Sequence, residues 1–260
     1  MNDPGLKLSD EGAVAHLRLM RGALHNRFDE ALHTLLADAL APLAGRDDLA
    51  ALVISAEGRS FSAGGDFELM LRLNGSAELR ERMRAEGLAI VERLLAIPYP
   101  VIAAVQGAAV GLGATLVAAC DVQFAWREAR IADPHVVLGL VAGDGGVLAW
   151  AQSVGLTRAK RHLLTGDPLT AEQAHAIGLI SDLVERPEDA LPAAMALARR
   201  FAAMPRAGVR GTKRAFAKLS RELYGPAFEQ SLDDEVASMA DDELRDTVRA
   251  AIAARRLQNP

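Results

Sequence analysis

Two glycine-rich segments carry the strongest chemical signal in this chain. Phe61-Ser62-Ala63-Gly64-Gly65-Asp66 follows the apolar run Leu49 to Ser55, and Gln106-Gly107-Ala108-Ala109-Val110-Gly111-Leu112-Gly113-Ala114 follows Val101 to Val105. Glycines at a strand-to-helix turn permit positive φ and bring a ligand close to the backbone. Main-chain N–H groups there, at the positive end of a helix dipole, suit an anion or the negative charge that develops on a carbonyl oxygen. The competing reading of the first segment is an ordinary tight turn. The second segment is not a dinucleotide fingerprint, because Gly107, Gly111 and Gly113 do not keep the G-x-G-x-x-G spacing. It is not a phosphate-binding P-loop either, since no Gly-Lys-Ser/Thr closes it.

The titratable candidates lie further on. His135 follows Asp133-Pro134, and Asp144 sits within Gly143-Asp144-Gly145-Gly146. A histidine and a carboxylate are suited to general acid–base work. Apolar residues from Val136 to Val141 would raise the Asp144 pKa, whereas a helix N-terminus would lower it. Each candidate has a plainer reading. Asp144 could cap a helix from Gly145 to Val154, His135 could be a structural hydrogen-bonding residue, and Asp133 reads as a turn residue. His25 is expected to be exposed and carries little catalytic weight. The single cysteine, Cys120, follows Ala118 and Ala119 with no positive flanking group, so it reads as a small buried residue rather than a nucleophile. No metal site is expected.

The elements that must position these residues alternate in the first half. Strands are expected over Gly12 to Leu19, Leu49 to Ser55, Val101 to Val105 and Asp121 to Trp126, with helices over Asn26 to Leu43 and Glu78 to Ile97, the latter ended by Pro98. Such alternation argues for a layered α/β core with parallel strands. From about Gly143 the pattern is mostly helical, and Glu188 to Arg256 reads as helices only, broken at Pro205 and Pro226. We divide the chain into a core over residues 1–195 and a helical region over 196–260, which either caps its own core or serves oligomerisation.

Composition excludes several classes. With 260 residues, half of them hydrophobic, the chain can bury a large core. One cysteine rules out an internal disulfide framework and points to a reducing compartment. A net charge of −5 without a basic run argues against nucleic acid. The apolar stretches Val101 to Cys120 and Ile131 to Trp150 are interrupted by polar residues or glycine, and Met1 to Asp10 shows no signal-peptide pattern. A soluble cytoplasmic protein, off the membrane, is the expectation.

The segments Val53 to Phe67 and Pro100 to Gly113, the latter followed by Cys120-Asp121, resemble the two pocket-forming blocks of the crotonase (enoyl-CoA hydratase/isomerase) superfamily. Arg21 to Asn26 is similar to its segment near the CoA entrance, and Leu163 to Gly166, Thr170 to Ala174 and Gly178 to Ile180 match further on. The resemblance implies a crotonase-like spiral of ββα units with a helical C-terminal region, assembled as a homotrimer or a dimer of trimers. It implies an acyl-CoA or enoyl-CoA substrate, coenzyme A entering as part of that substrate, and no permanently bound cofactor.

By the same resemblance the N–H groups of Gly65 and Leu112 hold the thioester oxygen as it becomes an enolate, although the family more often has glycine at the second position. Leu24, Ala63, Gly64 and Asp66 fall near the CoA, with Asp66 read slightly in favour of a helix N-cap. The two glutamates of the standard hydratases would fall at Thr115 and His135, and neither is a carboxylate here. Asp144 is then expected as principal acid or base and His135 as its assistant, which tilts the expectation toward double-bond isomerisation, or hydration by a variant mechanism, and away from hydration by the standard two-glutamate route. The alternatives are hydrolase or lyase chemistry on another CoA ester, or a catalytically silent binding protein. Phe201, Met204, Phe216, Leu219, Phe228 and Leu232 are expected to supply apolar faces for assembly, and Arg255 and Arg256 to approach a neighbour's CoA phosphates.

Overall fold

A computed structural model describes residues 5–258, with side chains through 254. Arg255 and Arg256 therefore lie outside the residues whose side chains are described.

The chain opens with the antiparallel pair β1 (Leu6–Glu11) and β2 (Val14–Leu19). Only β2 is legible as a strand in the sequence, because β1 has no buried residue and ends in the polar run Ser9-Asp10-Glu11. Next come α1 (Glu30–Leu40), β3 (Ala51–Ala56), α2 (Phe67–Gly75) and α3 (Ala77–Ala96). Then follow β4 (Val101–Val105), β5 (Ala109–Val110), α4 (Leu112–Ala119), β6 (Val122–Trp126) and β7 (Arg130–Ala132). The second half holds α5 (Gly146–Leu163), β8 (Leu169–Thr170), α6 (Ala171–Ile177), β9 (Asp182–Val184), α7 (Ala190–Ala202), α8 (Arg206–Ser238) and α9 (Asp242–Gln258).

The large sheet has the order β1-β2-β3-β4-β6-β9, parallel from β2 onward, and β5, β7 and β8 form a small second sheet. The ββα unit is plain in β4-β5-α4 and again in β6-β7-α5: the first strand joins the large sheet, the second joins the small one, and a helix returns. After β3, a parallel bridge between Ser62 and Ala109 stands in for the second strand of a unit. Apolar residues alternate across β3. Leu52 and Ile54 face the main core, whereas Ala51 and Val53 pack with Ala190, Ala194 and Ala198 of α7. Burial on both faces explains why this parallel strand reads as a continuous apolar run.

The C-terminal helices fold back over the chain. α7 covers one sheet face, α8 lies on α3 and α5, and α9 lies on α2. The expected division between 195 and 196 falls inside α7. Pro226 does not break its helix, contrary to expectation: α8 runs through it. Pro226 and Glu222, the residue whose carbonyl loses a partner, are both exposed to water, and burial of Phe228 and Leu232 holds the next turns in place. That burial also corrects the expected assembly face. Phe228 and Leu232 belong to the protein's own core, while Phe216, Leu219 and Leu223 point outward, 63%, 50% and 61% exposed. No described helix is long and apolar enough to cross a membrane.

Candidate active site

The two glycine segments meet. The Ser62 N–H donates to the Ala108 carbonyl at 3.0 Å, and the Val110 N–H to the Ser62 carbonyl at 3.0 Å. Gly111 adopts φ 53° and ψ −126°, outside the range ordinary residues favour, and this starts α4 with the Leu112 N–H turned out of the chain's own bonding. Gly64, at φ 81°, does the same before Gly65. Among the described residues, neither the Gly65 nor the Leu112 amide donates a hydrogen bond within the chain. Both residues line one cavity together with His135 and Asp144. All four expected catalytic positions therefore share a site.

Asp144 does not cap α5. The N-cap is Gly145, and no side chain caps that helix. The Asp144 carboxylate instead accepts from Thr115 Oγ1 at 2.8 Å and from the Gly146 N–H. Thr115, at a position where the resemblance places a glutamate, thus holds the Asp144 carboxylate by a hydrogen bond. Oδ2 of Asp144 is buried without a hydrogen-bond partner and lies 3.6 Å from His135 Nε2.

The turn reading of Asp133 is incorrect. Its side chain is fully buried and bonds His135 Nδ1, which fixes the ring with Nε2 facing the cavity. A second acid, Glu235 of α8, reaches the same ring: Oε1 lies 3.8 Å from Nε2, and Oε2 is buried without a partner. Glu235 was not among the expected site residues. The available signal was an acid sharing a helix face with Phe228 and Leu232, at i+7 and i+3.

The electrostatics follow from one histidine among three buried acids. Burial would depress the His135 pKa, but the carboxylates of Asp133, Asp144 and Glu235 outweigh it and raise the pKa well above the ordinary value. Asp133 is driven up by burial, yet the His135 charge and hydrogen bond prevail and lower it. Burial raises Asp144 against the opposing pull of His135 and Thr115. Burial pushes Glu235 up to about 8. These directions favour the carboxylate form of Asp133, the imidazolium form of His135 and the protonated form of Glu235.

The rest of the cavity is largely apolar, with Phe28, Leu69, Met70, Leu73, Leu140 and Leu232 on its walls. A neighbouring cavity is lined by Leu24, His25, Arg27, Ala63 and Asp66, and Gly65 and Asp66 border both. Asp66 is the N-cap of α2, accepting from the Leu69 N–H at 3.0 Å, and it also pairs with Arg27 at 2.7 Å. Gly64 is not on this wall; it packs against the Val110 backbone. Cys120 is buried and its thiol is pushed far up by burial, so it is no nucleophile.

Comparison with known proteins bears on this geometry. A family model described as enoyl-CoA hydratase/isomerase matches residues 9–250. The 1,2-epoxyphenylacetyl-CoA isomerase of Escherichia coli (strain K12) is 31% identical over 250 residues, 95% of each chain. The 2,3-dehydroadipyl-CoA hydratase of the same strain is 35% identical over 178 residues, 68% of each chain. The crystal structure of an enoyl-CoA hydratase/isomerase from Mycobacterium paratuberculosis has a TM-score of 0.91 at 34% identity, over 95% of this chain and 98% of that one.

Proposed function

The chain belongs to the enoyl-CoA hydratase/isomerase family, and from that premise we propose that it shifts the double bond of an enoyl-CoA through a thioester enolate. The observation that carries this reading is the pair of unpartnered amides, Gly65 and Leu112, in one cavity with Asp144 and His135. In this reading the amides hold the thioester oxygen, and each donor contributes roughly 2.7–4 kcal/mol to the transition state, as in other oxyanion holes. Asp144 takes a proton from carbon through Oδ2. His135, oriented by Asp133, stabilises the charge beside it. Thr115 and His135 do not reproduce the two-glutamate pair of a standard hydratase, and this tilts the reading toward isomerisation.

Leu24, Ala63 and Asp66, around the second cavity, would take the CoA portion of the substrate. The outward Phe216, Leu219 and Leu223 of α8 would make residues 196–260 an assembly surface for a trimer or a dimer of trimers. A reducing, cytoplasmic setting is part of the same reading.

One observation favours a second reading, addition of water to the substrate or hydrolysis of a CoA ester: a buried carboxylate behind His135 Nδ1 is suited to orienting a base toward water. Incubation with a panel of enoyl-CoA esters in deuterated water, followed by mass spectrometry, separates the two. Isomerisation gives deuterium incorporation without added water, hydration gives the mass of water, and hydrolysis frees CoA. No change in any ester would sink both.

A further inference from the structure

A double-bond shift needs two proton events on different carbons, and the reading above assigns only one of them. Asp144 can take the α-proton, but something must protonate the γ-carbon. Resting on that reading, we propose that Glu235 is a second catalytic residue, which hands its carboxyl proton to the γ-carbon, and that His135 Nε2 resets the pair between turnovers.

The geometry carries this. The Glu235 side chain is 6% exposed and lines the cavity with Gly65, Leu112, His135 and Asp144. Its Oε2 is buried with no protein partner. Nε2 of His135 lies 3.6 Å from Asp144 Oδ2 and 3.8 Å from Glu235 Oε1, so one nitrogen serves both acids. α8 is held hard against the loop that bears Asp144. A Cβ on Gly143 would lie 2.2 Å from the Ser231 carbonyl oxygen and 2.6 Å from Glu235 Cβ, and the Val141 N–H donates to Ser238 Oγ at 3.3 Å. The close approach requires glycine and fixes where the Glu235 carboxyl sits.

The surrounding charges agree. His135, Asp144 and Asp133 act directly on Glu235. The other charged or titratable residues bordering the cavity have partners elsewhere: Arg84 of α3 with Asp233, His33 of α1 with Glu86, and Asp66 with Arg27. Burial pushes Glu235 up to about 8, so at neutral pH it is a donor.

The steps balance. The α-C–H bond breaks, its proton goes to Asp144, and the electron pair moves to the thioester oxygen. The Glu235 O–H breaks as the γ-C–H forms, the enolate collapses to the α,β-alkene, and Glu235 is left as carboxylate. The imidazolium then gives its Nε2 proton to Glu235 and takes the proton held by Asp144. No oxidant or further reactant enters.

The test uses the full-length protein and a β,γ-enoyl-CoA that the wild type isomerises, in deuterated water. Glu235→Gln should isomerise about 10²–10⁴-fold more slowly yet still wash deuterium into the α-carbon, whereas Asp144→Asn should lose both. Wild-type kcat/KM should fall as pH rises through about 8, the value to which Glu235 is pushed, and the glutamine variant should lack that limb. Glu235→Asp should restore part of the rate, and it carries the same comparison should the glutamine variant not fold. Isomerisation by Glu235→Gln within about threefold of wild type, or equal loss of exchange and isomerisation, overturns the proposal alone. A wild type inert toward every ester removes the functional reading and this proposal with it.

Discussion

Replacing Asp144 by Asn removes the proton acceptor while keeping the shape of the side chain. The amide oxygen can still accept from Thr115 Oγ1, now at 2.8 Å from Oδ1, and the new amino group takes the place of Oδ2, 3.6 Å from His135 Nε2. Loss of a general acid–base group costs about 10²–10⁴ in turnover, or about 3–5 kcal/mol of transition-state stabilisation. Binding of the CoA ester should hardly change. Stability should move the other way. The folded Asp144 carboxyl holds its proton more tightly than the unfolded one, so the wild type loses stability as pH rises through the raised folded pKa. The asparagine variant lacks that loss, and its Tm relative to wild type should climb with pH across the interval. A unit charge at 3.6 Å from His135 is worth about 5 kcal/mol at an effective dielectric of about 20, so the His135 pKa should also fall. The assays are steady-state turnover with a confirmed substrate, calorimetry against pH, and NMR titration of the imidazole. Full activity in Asp144→Asn with loss in His135→Gln would reverse the two roles. Full activity in both would refute the acid–base assignment.

Further outcomes follow from the same contacts. Thr115→Val removes the hydroxyl that helps keep Asp144 charged, so the acid limb of kcat/KM should move to higher pH, with about 1–3 kcal/mol lost from that hydrogen bond. Gly143→Ala drives a methyl into Ser231 and Glu235, and a cost of about 1–3 kcal/mol should appear in thermal unfolding as a Tm several degrees lower. Asp133→Asn can still accept from His135 Nδ1 but removes the carboxylate charge that favours the imidazolium. Because the raised His135 pKa stabilises the fold below the ordinary histidine pKa and that contribution fades as pH rises through the raised folded value, the variant should be penalised more at low than at high pH in a melting series. The wild type is expected to be a trimer or hexamer by light scattering and a Phe216→Asp, Leu223→Asp double variant a monomer; a wild-type monomer at micromolar concentration would refute the assembly reading.

Much of the fold was legible because its central strands are buried on both faces. Val101–Val105 is bounded as the sequence predicts, and the helix expected over Glu78 to Ile97 differs from α3 by one residue at each end. β1, β8 and β9 were not, since short or edge strands carry too few buried positions to show a period. Pro226 misled because its lost hydrogen bond falls among exposed residues of α8, while the burial of Phe228 and Leu232 holds the helix together beyond it. Three of the four ionisable site residues, Asp133, His135 and Asp144, come from one contiguous stretch, so proximity in sequence found the neighbourhood. It did not find the Asp133 role, because nothing local distinguishes a buried aspartate from a turn aspartate before proline. Glu235 was hidden for a different reason. Its helix joins the cavity only through tertiary packing on α3 and α5.

The two unpartnered amides have a consequence for how this site is inherited. Each is preceded by a glycine of positive φ, Gly64 before Gly65 and Gly111 before Leu112. A main-chain donor has no codon of its own to protect. The letter that specifies each donor is the one before it, where only a residue without a Cβ tolerates the turn. Side-chain size at position 112 can therefore drift through a lineage, reshaping the cavity wall while the amide stays where it is. Drift at 64 or 111 moves the amide itself. The acidic groups are written the opposite way, each in its own side chain, and so can be exchanged one at a time against an unchanging pair of N–H groups.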